Sequence, residues 1–367
     1  MHLGLVVYGS LDGTSGGFRY DRKLVEYLRA HGDHVDVISL PWRSYPRNIF
    51  DGFSQSIRSQ LDQPFDVLIE DGLCHPTLWR HNQRLSTPNT VVGLVHHVQS
   101  DDPTERFGRL MQPFERRYLD TVDATISTSE FTHRRAARLA PTITNQPSLV
   151  APPAGRRDTS SSGSVSADRI AERAADGPLE ILFVGNLVPR KDPKTLLSAV
   201  ANASRNGLDD WTLTIVGSHD ATPAYAADVR AHAAQLGIDT QVEFTGELST
   251  TALESAFERS HVCCVPSRYE GFGMVYLEAM EYGLVPIASA AGGAGEFVSH
   301  GRNGFLVSPG SPTAIARRLT TLGSDRSRLA TLGRQALATA SAHPTWDETL
   351  SAVRSFLQVV SDDTDRS

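Results

Sequence analysis

Lysine is almost missing from this chain: of its 35 basic side chains only Lys23, Lys191 and Lys194 are lysines, and the rest are arginines. A lysine kept in a loop is therefore a candidate for work that a compact ammonium does and a planar guanidinium does not. Cysteine is equally scarce, at three residues, which excludes a disulfide-stapled scaffold. Cys263 and Cys264 are adjacent in a strand-like run, on opposite faces, and read with Cys74 as small core residues in a reducing compartment. Basic charge is not in excess: 35 Lys and Arg against 42 Asp and Glu leave a formal charge of -7, so no nucleic-acid partner is expected. No apolar run reaches the length of a membrane span, and the chain opens on a strand-like run without a basic leader. The expected location is the cytoplasm, with peripheral contact at the inner face of the membrane left open.

Two motifs are missing as well. There is no G-x-G-x-x-G fingerprint, which sets aside a dinucleotide-dependent dehydrogenase, and no Gly-Lys-Ser/Thr phosphate loop. The one D-x-D, Asp363-Thr-Asp365, lies in a polar tail (361–367) expected to fray. It is rejected as a metal site, so neither metal nor cofactor is expected.

What is present is enough apolar sequence, 40% of 367 residues, to bury two cores of ordinary domain size. Apolar runs at 3–8, 34–40, 66–70, 90–95 and 123–128 alternate with amphipathic segments, beginning with 18–30. That alternation predicts repeated βα units around a parallel sheet. Residues 156–177, rich in Ser, Asp, Gly and Arg, read as a linker. The pattern restarts at 180–184, 211–216, 242–245, 261–266, 285–288 and 304–307. The expected organisation is a first α/β domain (1–155), a linker (156–177), a second α/β domain (178–345), and a last helix (346–360) that crosses back to the first.

Two glycine clusters follow strands. Gly9, Gly13, Gly16 and Gly17 precede the first helix, as an anion cradle or as a flexible turn. The second cluster runs Pro266-Ser-Arg-Tyr-Glu270-Gly271-Phe272-Gly273-Met274-Val275-Tyr-Leu-Glu278, with a helix starting near Met274. Glu270 then stands in the loop and Glu278 about one turn into the helix, so that both carboxylates flank one ligand instead of pairing with each other. Against this stand the ordinary readings of a helix-dipole acid and a solvated surface carboxylate.

The spacing Glu270 to Glu278, in the form E-G-F-G-x-x-x-x-E, resembles the E-x7-E signature of family 4 glycosyltransferases. Two further segments resemble that family. Gly185-Asn186-Leu-Val-Pro-Arg190-Lys191-Asp192 is similar to its phosphate-binding segment, with Asn186 where an arginine is usual. The stretch 291–307, Ala-Gly-Gly-Ala-Gly-Glu-Phe-Val and then Asn303-Gly304-Phe-Leu-Val, is similar to its G-G-x-x-E…N-G-x-L-V run. The resemblance implies a GT-B fold: two Rossmann-like α/β domains facing across a cleft, with the acceptor on the first and a nucleotide-sugar donor on the second.

The resemblance also implies roles. Glu270, His96 and Lys191 are the expected catalytic side chains. Gly185, Arg190, Lys191, Gly271, Phe272, Gly273, Met274, Val275 and Glu278 are expected to bind the donor, its ribose on Glu278 and its diphosphate on Lys191 and residues 271–275. Gly16, Gly17, His97 and Ser129 are candidates for the first domain's side of the cleft. The implied activity is transfer of a sugar, with retention, from a UDP- or GDP-linked donor to a hydroxyl acceptor such as a glycan, a lipid-linked saccharide or a small metabolite. The rival readings are a sugar-nucleotide epimerase or glycan phosphorylase of the same fold, and a non-catalytic sugar-nucleotide binder. The segment 107–118 is amphipathic with adjacent arginines, which suits either core packing, the favoured reading, or a membrane surface.

Overall fold

The computed structural model describes residues 1–13, 15–105, 107–156 and 165–364. The chain forms two compact units: Met1–Ala154 with Pro344–Ser367, and Gly155–His343.

In the first unit the chain runs β1 (His2–Tyr8), α1 (Gly16–Ala30), β2 (His34–Leu40), α2 (Tyr45–Asp51), α3 (Gln55–Leu61), β3 (Val67–Asp71), α4 (His75–Asn82), β4 (Thr90–Val95), α5 (Gly108–Leu119), β5 (Ala124–Ser127), α6 (Glu130–Leu139) and β6 (Ser148–Val150). The strands form one parallel sheet in the order β2-β1-β3-β4-β5-β6. Both faces are covered, which is why β1 reads as a continuous apolar run. Leu3, Leu5 and Val7 point into one core cluster and Val6 and Tyr8 into another.

The second unit runs α7 (Ala167–Ala175), β7 (Leu179–Val184), α8 (Pro193–Arg205), β8 (Trp211–Val216), α9 (Pro223–Leu236), β9 (Val242–Gly246), α10 (Thr250–Arg259), β10 (Val262–Val265), α11 (Met274–Met280), β11 (Val285–Ser289), β12 (Phe305–Val307), α12 (Pro312–Ser324) and α13 (Arg326–Ser341). Its sheet is again parallel, in the order β12-β11-β10-β7-β8-β9. Cys263 and Cys264 are both fully buried and unpaired, one on each face of a central strand.

The last helix, α14 (Trp346–Thr364), belongs to the first unit. Leu350, Val353, Leu357 and Val360, spaced to make one apolar stripe, are buried with Leu24, Val25 and Leu28 of α1. Arg354 reaches Asp33 at 2.6 Å, and Thr90 donates to the carbonyl of Val360. Burial of the four stripe residues is worth on the order of 1.5–3 kcal/mol each.

The segment read as a linker is not all linker. Residues 157–164 lie outside the described residues, but α7 follows them, its Ile170 and Ala174 buried in the second unit. Its one large apolar side chain is Ile170, the rest of its apolar residues being alanines, so a helix there left no clear sign in the sequence. In 107–118, Met111 and Tyr118 are buried while Phe107 and Leu110 are exposed. Among the described residues no helix is long and apolar enough to cross a membrane.

Candidate active site

An open parallel sheet leaves a crevice at its carboxyl edge where the direction of winding reverses. In the second sheet that point lies between β7 and β10, because β8 and β9 continue on one side and β11 and β12 on the other. The segments leaving those two strands carry Lys191 and Glu270.

After β7 the chain passes Gly185 and turns through a short 3-10 segment, Pro189–Lys191, ending on Asp192 in the left-handed region at φ 50. Asp192 caps α8, accepting from the Thr195 hydroxyl at 2.7 Å, and pairs with Arg268 at 2.5 Å. The Lys191 methylenes run across Gly185. Its ammonium donates to Glu270 Oε2 at 2.6 Å. Arg190 approaches the other oxygen at 3.6 Å and donates to the Tyr269 carbonyl at 3.2 Å. Asn186, at the position of the missing arginine, turns its side-chain oxygen to the Ser218 amide at 3.3 Å.

Glu270 is held from both ends of its peptide. Its amide donates to the Ala291 carbonyl at 3.1 Å, and Gly293 donates back to Gly271 at 3.0 Å. Ser267 donates to its carboxylate at 3.0 Å. Burial alone would raise this acid, but Lys191 and Arg190 outweigh it and bring Glu270 from an ordinary 4.5 down to about 2. Burial pulls the Lys191 ammonium below its usual range, against the opposing pull of Glu270.

Gly273 precedes α11 at φ +94, and a side chain there would meet the Tyr276 ring at 2.7 Å; glycine is what lets the helix start here. Tyr276 anchors that turn by donating to the Val265 carbonyl. Phe272 is buried against Phe297 and His343, which packs the loop onto the core of the second unit. Met274 and Val275 form the first turn of α11 and pack partly buried against the core. Glu278 lies inside α11, buried, with Arg156 3.6 Å from its carboxylate. The two acids thus have separate cationic partners. Burial, and then the charge of Glu278, push the Cys263 thiol of β10 up, against the opposing charge of Lys191.

The first unit has a reversal of its own, between β1 and β3. Gly16 and Gly17 open α1 beside it, capped by Ser15. A side chain at Gly17 would stand 3.3 Å from the ring of His96. His96 follows β4, and its Nε2 lies 2.9 Å from Asp21. His97 is half-buried beside it. Ser129 is fully buried and caps α6, accepting from the Thr132 amide at 2.9 Å. Sequence reasoning overlooked Ser267, Arg156, Asp21 and Asp71. Only Asp21 left a trace, as a carboxylate inside the apolar stripe of α1.

Two parallel α/β units, each a six-stranded sheet covered by helices, give the chain a GT-B type of fold. Residues 165–338 of the second unit match the family described as Glycosyl transferases group 1. A GDP-mannose-dependent alpha-(1-6)-phosphatidylinositol monomannoside mannosyltransferase from Mycobacterium tuberculosis is 31% identical over 185 residues, 48% of this chain and 47% of that protein. A D-inositol 3-phosphate glycosyltransferase from Rhodococcus erythropolis is 34% identical over 175 residues, 46% of this chain and 40% of that protein. The chain thus spans about half the length of the curated relatives it matches, or less. Among solved structures, a sucrose-phosphate synthase from Thermosynechococcus elongatus superposes with a TM-score of 0.81 at 21% identity, covering 98% of both chains. Anabaena HepE in complex with UDP and glucose gives 0.74 at 18%, covering 98% of this chain and 100% of that one. These likenesses are of fold.

Proposed function

We propose that the protein transfers a sugar, with retention of configuration, from a nucleoside-diphosphate sugar to a hydroxyl acceptor. The observation that carries this reading is the Lys191–Glu270 pair at the winding reversal of the second sheet. On this reading Lys191 and Arg190 take the diphosphate along residues 271–275, Glu270 takes hydroxyls of the sugar, and Glu278 takes those of the ribose. The bond from the anomeric carbon to the phosphate oxygen breaks with its electron pair leaving on phosphate. The acceptor oxygen adds from the same face, and its proton passes to the departing phosphate. Lys191 then stabilises the charge that develops on the leaving group.

Relatives named for GDP-mannose and a fold neighbour solved with UDP and glucose make GDP- and UDP-sugars the donors to try first. Thermal unfolding of the full chain with UDP-, GDP- and ADP-sugars tests the reading. A donor at a hundred times its dissociation constant stabilises the folded state by about 2.7 kcal/mol, and silence with every nucleotide contradicts the proposal.

Exposed apolar side chains of the first unit, Phe50 and Phe53 near α4 and Phe107 and Leu110 at α5, support an acceptor met at a membrane surface, since Arg80 stacks over Phe53 at 4.1 Å. Aromatic rings beside arginines suit an anionic lipid interface. Sedimentation with phosphatidylglycerol vesicles, absent with phosphatidylcholine alone, is the expected result; no sedimentation with either rules it out.

A further inference from the structure

The apolar stripe of α1, Tyr20, Leu24, Val25 and Leu28, carries one acid, Asp21, with no exposed surface at all. A carboxylate in that position is costly unless something compensates its charge. The compensation comes from the carboxyl edge of the sheet. β3 ends on Asp71 and β4 is followed by His96, and one ligand atom from each of Asp21, Asp71 and His96 lies within 4.8 Å of the other two.

The ring of His96 has little freedom. Its Nε2 lies 2.9 Å from Asp21 Oδ1. Gly17 packs on one side, where an added carbon would come within 3.3 Å, and Tyr20 meets the ring edge-on at 5.5 Å. The Thr128 hydroxyl donates to the His96 carbonyl at 3.1 Å and fixes the backbone. Asp71 accepts from the Leu73 amide at 2.9 Å. Asp21 Oδ2 is buried with no hydrogen-bond partner, an acceptor that only a nearby positive charge makes tolerable. Nδ1 of His96 has no hydrogen-bond partner among the described residues.

The groups around the ring set its charge. Burial pulls the His96 imidazolium down, but the charge and hydrogen bond of Asp21, and Asp71 beyond it, overcome this and hold it at about 9. Burial and the charge of Asp21 raise Asp71 above the usual carboxylate range. Burial lifts Glu70, at the end of β3, to about 8, so it is neutral at pH 7. Cys74 and Tyr20 are likewise pushed up by burial and by these acids, and are neutral.

We propose that Asp21, backed by Asp71, is a positioning residue that keeps His96 as an imidazolium with Nε2–H committed to Asp21, leaving Nδ1–H as a fixed cationic donor to an oxygen of the substrate. His96 held this way accepts no proton and is not a general base. The ligand class, a phosphate or sugar oxygen, rests on the function proposed above; the proton state of His96 does not.

The test separates the two. Long-range proton–nitrogen NMR of the full chain carrying nitrogen-15 histidine, with His96→Gln to assign the signal, reads both ring nitrogens from pH 5.5 to 9.5. Wild-type protein is expected to show both protonated at pH 7, losing the proton near pH 9. In Asp21→Asn, which keeps an acceptor oxygen in place, the midpoint is expected to fall below the ordinary histidine value of about 6.5. A neutral His96 at pH 7 in the wild type, or an unmoved midpoint in Asp21→Asn, overturns the proposal. So does broadening of the His96 signal by added manganese, which would make the three residues a cation site. If Asp21→Asn fails to fold, the wild-type midpoint alone decides. Once a donor is in hand, Asp21→Asn is expected to lower kcat at least about tenfold, as loss of a charge-assisted hydrogen bond does, with KM little changed and the basic limb of the pH profile moved down. Asp21→Glu is expected to restore part of both. Failure of every donor leaves the NMR result standing.

Discussion

Lys191 and Glu270, 79 residues apart in sequence, meet at 2.6 Å and tie together the segments that leave β7 and β10. The lysine is one of three in the chain. Lys194, three residues on, serves as its internal control, since it pairs with an exposed Asp228 at 3.5 Å.

Lys191→Ala is expected to lower sugar transfer at saturating donor by about 10²–10³, the loss typical of a group that stabilises leaving-group charge. Lys191→Arg is expected to restore only part, because the guanidinium fork fits a phosphate differently. Lys194→Ala is expected to be nearly silent. Equal, mild effects at both lysines would make Lys191 an ordinary loop charge.

Glu278→Ala should weaken binding of the bare nucleotide by losing hydrogen bonds from ribose hydroxyls to a carboxylate, each about 1.5–3 kcal/mol. Titration calorimetry reads it. An unchanged dissociation constant would leave Glu278 serving Arg156 alone.

The depressed titration of Glu270 gives an acid-side signature. Its folded-state value, about 2, lies below the ordinary 4.5. The stability it contributes is therefore fully present above pH 4.5 and is lost as pH falls toward 2. Comparing wild type with Glu270→Gln, the difference in Tm should be constant from pH 7 to 5 and shrink as pH falls below 4.5. A pH-independent difference would mean that packing, not charge, holds the loop.

Transfer is expected to persist in excess chelator, the charge of the leaving diphosphate resting on Lys191 and Arg190. Strict dependence of the rate on added magnesium or manganese would contradict that assignment.

Much of the fold was legible because a parallel sheet covered on both faces writes its strands as plain apolar runs: residues 3–8 and 211–216 needed no more than that. The strand β6, three residues long and only partly buried, gave no such run. The helix α7 was lost in polar sequence, since Ile170 and Ala174 are its only buried side chains. At the site, residue types and spacing singled out Glu270, Glu278 and Lys191, but partnership is tertiary. That Ser267 and Arg190 share Glu270 with Lys191, and that Arg156 reaches Glu278, depends on loops from separate strands. Asp21 went unread although it falls inside the apolar stripe of α1, because its partner, His96, lies 75 residues away.

Whether a nucleoside-diphosphate sugar lies at the carboxyl ends of β7 and β10 is tested most directly by a crystal structure of the protein with a UDP- or GDP-sugar bound. The predicted result is a diphosphate oxygen within hydrogen-bond distance of Lys191 Nζ, with ribose hydroxyls on Glu278. A nucleotide bound in the first unit, or in the second unit away from Lys191, would contradict it.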